Sequence, residues 1–210
     1  MGDEPALGRS ARKHQAILQA AQTVFLTKGF GGTTMDEVAA LAAVSKQTVY
    51  KHFSDKQRLF TAIVTGAIAA AETRTHDMVQ ALGDTDDLAG DLGRFARQHI
   101  VDVTQPHLLR LRRMVISEAD RFPDLARTWY TEGPERAHTT LARQLEALAR
   151  RGLLTIDDPL LAAQHLNWLI VAIPLNKALY HGGDTTFTRR ELHRYADSGA
   201  RVFLAAYAVP

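Results

Sequence analysis

The chain has 210 residues, 46% of them hydrophobic and 23% charged, with no cysteine and a formal net charge of +2. That length accommodates one large domain or two small ones, and the missing cysteine excludes disulfide frameworks, thiolate zinc sites, iron–sulfur clusters and cysteine nucleophiles. Only 14 glycines and 7 prolines punctuate it, and with Ala, Leu and Arg abundant this composition predicts an all-α protein.

The first helix runs from Arg12 to Lys28, where Ile17, Ala21, Val24 and Phe25 repeat on one face and Gly29 supplies a stop. Thr34-Met35-Asp36-Glu37 has the pattern of a capping box, in which the Thr hydroxyl and Glu carboxylate satisfy each other's orphan amides, so a second helix starts there. Ser45 caps a short third helix, Lys46 to Phe53, and Ser54-Asp55-Lys56-Gln57 reads as a second capping box opening a long helix to about Leu82. Two short helices joined by a tight turn and supported by their neighbours form a helix-turn-helix within a small bundle.

Beyond it the pattern predicts further helices over 86–105, with Leu88, Leu92, Phe95, Ala96, His99 and Val103 on one face, and from Pro106 to about Phe122. A helix from Pro123 is interrupted near Gly133-Pro134 and ends at Gly152. Asp158-Pro159 opens a very apolar helix, 160–180, broken by Pro174 and stopped by His181-Gly182-Gly183; Thr188-Arg189-Arg190-Glu191 is a third capping box heading the last helix. The expected total is about nine. The expected domains are 1–60, containing the helix-turn-helix at about 34–53, and 61–210, with the boundary inside the fourth helix.

Charge is unevenly placed. Residues 1–60 carry eight Lys or Arg against five acids, so the positive excess sits entirely there, and residues 61–210 are slightly acidic. On a helix from Lys46, Val49 and Phe53 face inward, leaving Lys46, Gln47, Thr48, Tyr50, Lys51 and His52 outward. Gln can read an adenine edge, Lys can reach guanine or phosphate, and a Thr methyl can touch thymine. The capping hydroxyls Thr34, Ser45 and Ser54, with Lys56 and Tyr50, are candidates for phosphate. On this chemistry alone a solvated polar face and a DNA-reading face both remain open.

Residues 12–60 resemble the DNA-binding domain of the TetR family of bacterial transcriptional regulators. The likeness runs almost without gaps through Thr33-Thr34-Met35-Asp36-Glu37-Val38-Ala39, Val44-Ser45, Thr48-Val49-Tyr50, His52-Phe53 and Lys56-Gln57-Arg58-Leu59-Phe60. The resemblance implies that the third helix enters the major groove, with Thr34, Ser45, Lys46, Gln47, Thr48, Tyr50, Lys51, His52 and Lys56 contacting DNA. Ala43 departs from the family's usual turn glycine. A left-handed Ala there costs on the order of 1 kcal/mol relative to Gly.

The region Ile116-Ser117-Glu118-Ala119 to Pro123 and the apolar helix are similar to AefR-like C-terminal domains. By that resemblance the last two long helices form a dimer interface, with candidates Leu166, Leu169, Ile170, Ile173, Tyr195 and Phe203. A helix apolar nearly all round has more apolar surface than one core stripe needs, which supports this. Intervening helices would wall a ligand pocket, candidates Phe95, His99, Met114, Trp129 and Trp168, for each of which plain core packing is the competing role. His99, His107 and Glu118 could imitate a metal site, but with nine His in the chain such coincidences are cheap; neither metal nor cofactor is expected.

No G-x-S-x-G, strand-linked G-x-G-x-x-G, Walker loop or H-E-x-x-H signature is present, which argues against an enzyme. The sequence contains neither a membrane-length apolar run nor an N-terminal apolar stretch of signal type, so a cytoplasmic protein is expected. The expected function is a repressor that binds a palindromic double-stranded operator as a homodimer and is released by a small, hydrophobic effector.

Overall fold

The computed structural model describes residues 8–181 and 187–209, the side chains of residues 72–75 excepted, and every regular element among them is helical. Helix α1 (Arg9–Gly32) buries Ile17, Ala21, Val24 and Phe25 as their spacing requires. Gly29, at φ 72° and ψ 176°, breaks the helical backbone, and a last turn carries Phe30 into the core. α2 (Met35–Leu41) begins with the expected capping box: Glu37 N–H donates to Thr34 Oγ1 at 3.3 Å, and Thr34 N–H to the Glu37 carboxylate at 3.2 Å.

Ala43 joins α2 to α3 (Lys46–His52) at φ 52°, the only positive φ at a non-glycine among the described residues. Ser45 Oγ accepts from Thr48 N–H at 3.1 Å and so caps α3. The cap of α4 (Lys56–Leu82) differs from the expected one. Asp55, not Ser54, accepts from Arg58 N–H at 2.8 Å, and Ser54 donates to the far oxygen of that carboxylate. A charged acceptor is stronger than a hydroxyl and suits the positive end of a helix.

α5 (Leu88–Val103) is capped by Asp87, and α6 (Pro106–Ser117) has its proline in the first turn. α6 ends at Ser117, short of the expected Phe122: Glu118 already leaves helical geometry at φ −104°, ψ 7°, and Phe122, restricted by the proline after it, lies at φ −129°, ψ 64°. α7 (Pro123–Tyr130), a π-helical turn (Thr131–Glu135) and α8 (Arg136–Arg150) form one rod, since Tyr130, Thr131 and Arg136 all keep helical dihedrals. The interruption expected at Gly133-Pro134 is thus a π-bulge, and counting the rod as one element gives nine helices among the described residues.

α9 (Pro159–His181) starts where Asp158 Oδ1 accepts from the amides of Leu160 and Leu161, each at 3.0 Å. Pro174 does not break it: the helix runs through to His181 with Pro174 buried in the packed face. The missing hydrogen bond is outweighed by burial along both flanks of the proline, including Ile170, Val171, Leu175 and Ala178. The Gly182-Gly183 stop lies outside the described residues. α10 (Arg189–Tyr207) follows the third capping box, Thr188 with Glu191.

Two apolar cores result. The head core joins α1–α3 to Leu59, Phe60, Ile63 and Val64 of α4, and also takes in Leu111, Met114 and Val115 of α6 and Leu125 of α7. The body core packs Val79 and Leu82 of α4 against α5, α8, α9 and α10. α4 therefore spans both, and the head's apolar cluster extends past residue 60 in sequence and into the body's helices in space.

Candidate functional site

α3 presents the face its spacing implies. Val49 is fully buried and Phe53 nearly so, while Lys46, Gln47, Tyr50 and Lys51 are exposed and Thr48 and His52 half-buried. Lys46 Nζ pairs with Asp36 of α2 at 2.8 Å, which raises its pKa through the hydrogen bond and the nearby charge. Both partners are exposed, so the pair is weak in water and an incoming phosphate can displace the carboxylate. Lys28 similarly pairs with Glu37, lowering that carboxyl's pKa, with the Thr34 cap adding to the effect.

Four of the candidates are already engaged inside the head. Thr34 and Ser45 use their hydroxyls in caps, and Thr48 Oγ1 lies 2.8 Å from Ser45 Oγ. Lys56 turns inward: its ammonium donates to the carbonyls of Phe30 at 2.8 Å and Thr33 at 2.9 Å and sits 4.6 Å from the Phe30 ring centroid. These carbonyls belong to the end of α1, so Lys56 closes that terminus. His14 stacks on Phe53 and meets His52 edge-on, holding the end of α3 against α1.

A cavity of about 170 Å³ lies in the body, walled by α4, α5, α6, α7, the π-helical turn, α8 and α9. Phe95, His99, Trp129 and Trp168 line it. Met114 does not: it is buried in the head core beside Leu111 and Val115, because α6 turns that face toward the head. The wall also holds Asp102, Arg112, His138 and Asn167, which periodicity did not single out. Asp102 carried a legible signal, standing one turn beyond His99 on the same helix. Arg112 and His138 carried none, since only packing selects them from the arginines and histidines of their helices.

His99 Nε2 is 2.8 Å from Asn167 Oδ1, and Gln98 Nε2 donates to Asp102 Oδ1 at 3.0 Å. Burial pushes the His99 pKa down, against the opposing pull of Asn167 and Asp102; burial, then the neighbouring His99, pushes His138 down. Both imidazoles are thus held neutral near pH 7. Burial likewise lowers the pKa of Arg112. Among the described residues no cluster of three His, Asp or Glu could hold a metal ion.

α9 has two apolar faces. Ala162, Ala163, Leu166, Ile170, Val171 and Leu175 pack inside the protein, whereas Leu160, Leu161, Trp168, Leu169, Ile173 and Tyr180 are exposed. Of the interface candidates, Leu166, Ile170 and Phe203 are core residues and cannot face a partner; Leu169 and Ile173 are exposed, and Tyr195 is half-buried beside Ile173. α10 lies close against α9 at Gly199, where a Cβ would stand 2.9 Å from the Leu169 carbonyl group.

Residues 17–63 match the family of bacterial regulatory proteins of tetR type, and residues 90–209 match the C-terminal domain of AefR-like transcriptional repressors. The fold superimposes on that of a regulator assigned to the TetR family from Mesorhizobium loti, with a TM-score of 0.90 and 40% identity over 97% of this chain and 100% of that one. The chain is a TetR-family transcriptional regulator. As such it is a DNA-binding protein, of a family whose members are not enzymes.

The regulator is also similar to the flavonoid-responsive regulator FrrA, at 31% identity, a TM-score of 0.72, and 94% and 97% coverage of the two chains. The repressor SCO4008 of Streptomyces coelicolor is 27% identical over 80% of this chain and 83% of its own length. Similarity to the repressor BepR of Brucella suis is confined to 55 residues, 26% of either chain, at 40% identity. No helix among the described residues is long and apolar enough to cross a membrane.

Proposed function

We propose that this TetR-family regulator is a repressor that binds a palindromic operator as a homodimer through α3 and lets go when a small aromatic molecule fills the cavity in the body. The observation that carries this reading is shared walls. Ala67 and Ile68 of α4 and Trp129 of α7 line the cavity and also pack against the head core. A ligand that favours one setting of α4 and α7 therefore favours one setting of the head, and operator DNA weakens ligand binding by the same factor.

The exposed face of α9 supplies the dimer: Trp168, Leu169 and Ile173, with Val202 of α10, offer apolar surface that a second copy would cover. Two-fold symmetry would set two copies of α3 about one DNA turn apart, ~34–36 Å, with Gln47 and Tyr50 toward base edges and Lys46 and Lys51 toward phosphates. The names of the BepR and SCO4008 repressors support the sign of regulation, and that of FrrA supports an aromatic effector.

The test is selection of bound duplexes from a random pool, followed by affinity measurements across salt concentrations. The selected sites should be palindromic, and log K should fall against log salt with a slope of magnitude several. Salt-independent binding, or no recovered duplex, overturns the reading.

A further inference from the structure

Three buried side-chain atoms lack a hydrogen-bond partner among the described residues: Nδ1 of His99, Oδ2 of Asp102 and Nδ1 of His138. All three residues line the same cavity. Buried polar groups in native proteins are nearly always paired, because an unmade hydrogen bond on a desolvated atom is unfavourable. Three such atoms converging on one wall mark groups that await a partner from outside the chain.

Two of these atoms restrict that partner directly. Asp102 already accepts from Gln98 at Oδ1, and a carboxylate oxygen can only accept, so Oδ2 calls for a donor. With Asn167 Oδ1 accepting from His99 Nε2, the neutral ring leaves Nδ1 as a lone-pair acceptor, which calls for a second donor. Arg112 works the other way. It is half-buried in the same wall and makes no hydrogen bond or ion pair among the described residues, so its fork of N–H donors calls for an acceptor, best an anionic one.

Much of the remaining wall is aromatic and aliphatic, including Phe95, Val103, Leu141 and Trp129, and its other polar members are His76, Thr140 and the ion pair of Glu132 with Arg136. The cavity's volume of about 170 Å³ is near the ~150 Å³ of an engineered apolar cavity that takes one benzene ring. Resting on the effector reading above, we propose that the cavity takes a single-ring hydroxylated aromatic acid, its carboxylate on Arg112 and its ring hydroxyls donating to Asp102 and His99. The opposite charges of Arg112 and Asp102 fix its direction, since the reversed molecule would set carboxylate against carboxylate.

Isothermal titration calorimetry on the full chain tests this with para-hydroxybenzoate and protocatechuate, set against the methyl ester of para-hydroxybenzoate, benzoate and the flavonoid naringenin. The hydroxy acids should bind, with the ester and benzoate each weaker by roughly tenfold or more. Arg112→Met should erase the preference for acid over ester, and Asp102→Asn the preference for para-hydroxybenzoate over benzoate. The ligand comparisons on the unaltered chain stand even if a variant fails to fold.

Absence of hydroxy-acid binding, equal affinity for acid and ester, or tighter binding of naringenin than of either hydroxy acid overturns the proposal. Retention of selected DNA duplexes by the same preparation separates the two readings. Retention without hydroxy-acid binding sinks the ligand class and leaves the repressor standing, whereas hydroxy-acid binding without retention does the reverse.

Discussion

The ring of Phe30, in the turn that closes α1, meets the ring of Phe122, just ahead of α7, edge-on at a centroid separation of 4.8 Å. Phe30 is also packed against Phe25 and Phe60, and the Arg121 guanidinium lies 5.2 Å from its ring and 5.1 Å from that of Phe122. The contact ties the end of α1 to the start of α7, the helix whose Trp129 lines the cavity. Phe122→Ala should loosen the joint, so that calorimetric unfolding divides into separate head and body transitions. A single transition at the unaltered temperature would show that the joint contributes nothing.

Lys56 and Lys51 should part company on substitution, although both are cations of the DNA-binding head. Lys56→Met strips the donor from the Phe30 and Thr33 carbonyls and should destabilise the fold by about 1–3 kcal/mol. Lys51 is exposed; Lys51→Ala should leave stability unchanged and reduce the salt slope of DNA binding by about one per protomer. Denaturant titration and salt-dependent anisotropy give the two readouts, and interchanged effects would reverse the roles.

Ala43 sits at φ 52° in the turn between α2 and α3. Ala43→Gly removes the steric penalty of a left-handed Cβ and should raise stability by about 1 kcal/mol, read from the denaturant midpoint. A destabilised variant would mean that the added backbone freedom of the unfolded state outweighs the relief.

Neighbouring residues of α9 should respond differently to charge. Leu169→Glu and Ile173→Glu, both on the exposed face, should give folded monomers by sedimentation. Leu166→Glu, at a fully buried position, should abolish the helical circular dichroism signal at moderate temperature. A native-size dimer in both exposed-face variants would move the interface elsewhere.

The two cavity histidines make stability depend on pH. Burial lowers the pKa of both His99 and His138 in the folded state, so the unfolded chain binds protons more readily. The stability they permit is fully present above the ordinary imidazole value of about 6.5 and is lost as pH falls below it toward the folded values. Each contributes at most about 1.4 kcal/mol per pH unit. The melting temperature should therefore drop between pH 7 and 5, and His99→Gln with His138→Gln should flatten that drop. An equal drop in the double variant would assign it to other groups.

The sequence by itself determined the order of the helices and several of their caps, because these depend on residues three or four apart. The Thr34–Glu37 and Thr188–Glu191 boxes, the α1 stripe and the inward pair Val49 and Phe53 all follow from that spacing. The resemblance to the TetR family, rather than local spacing, drew attention to Ala43. Packing over long distances decided the rest. It selected which side of the all-round apolar α9 is core, burying Leu166 and Ile170 while leaving Leu169 and Ile173 exposed. It turned Lys56 onto carbonyls 23 and 26 residues away and placed Met114 in the head core. It also gathered Asp102, Arg112 and His138 from three helices into one wall. No local pattern encodes such meetings, since each depends on which surfaces of separate helices can bury the most apolar area together.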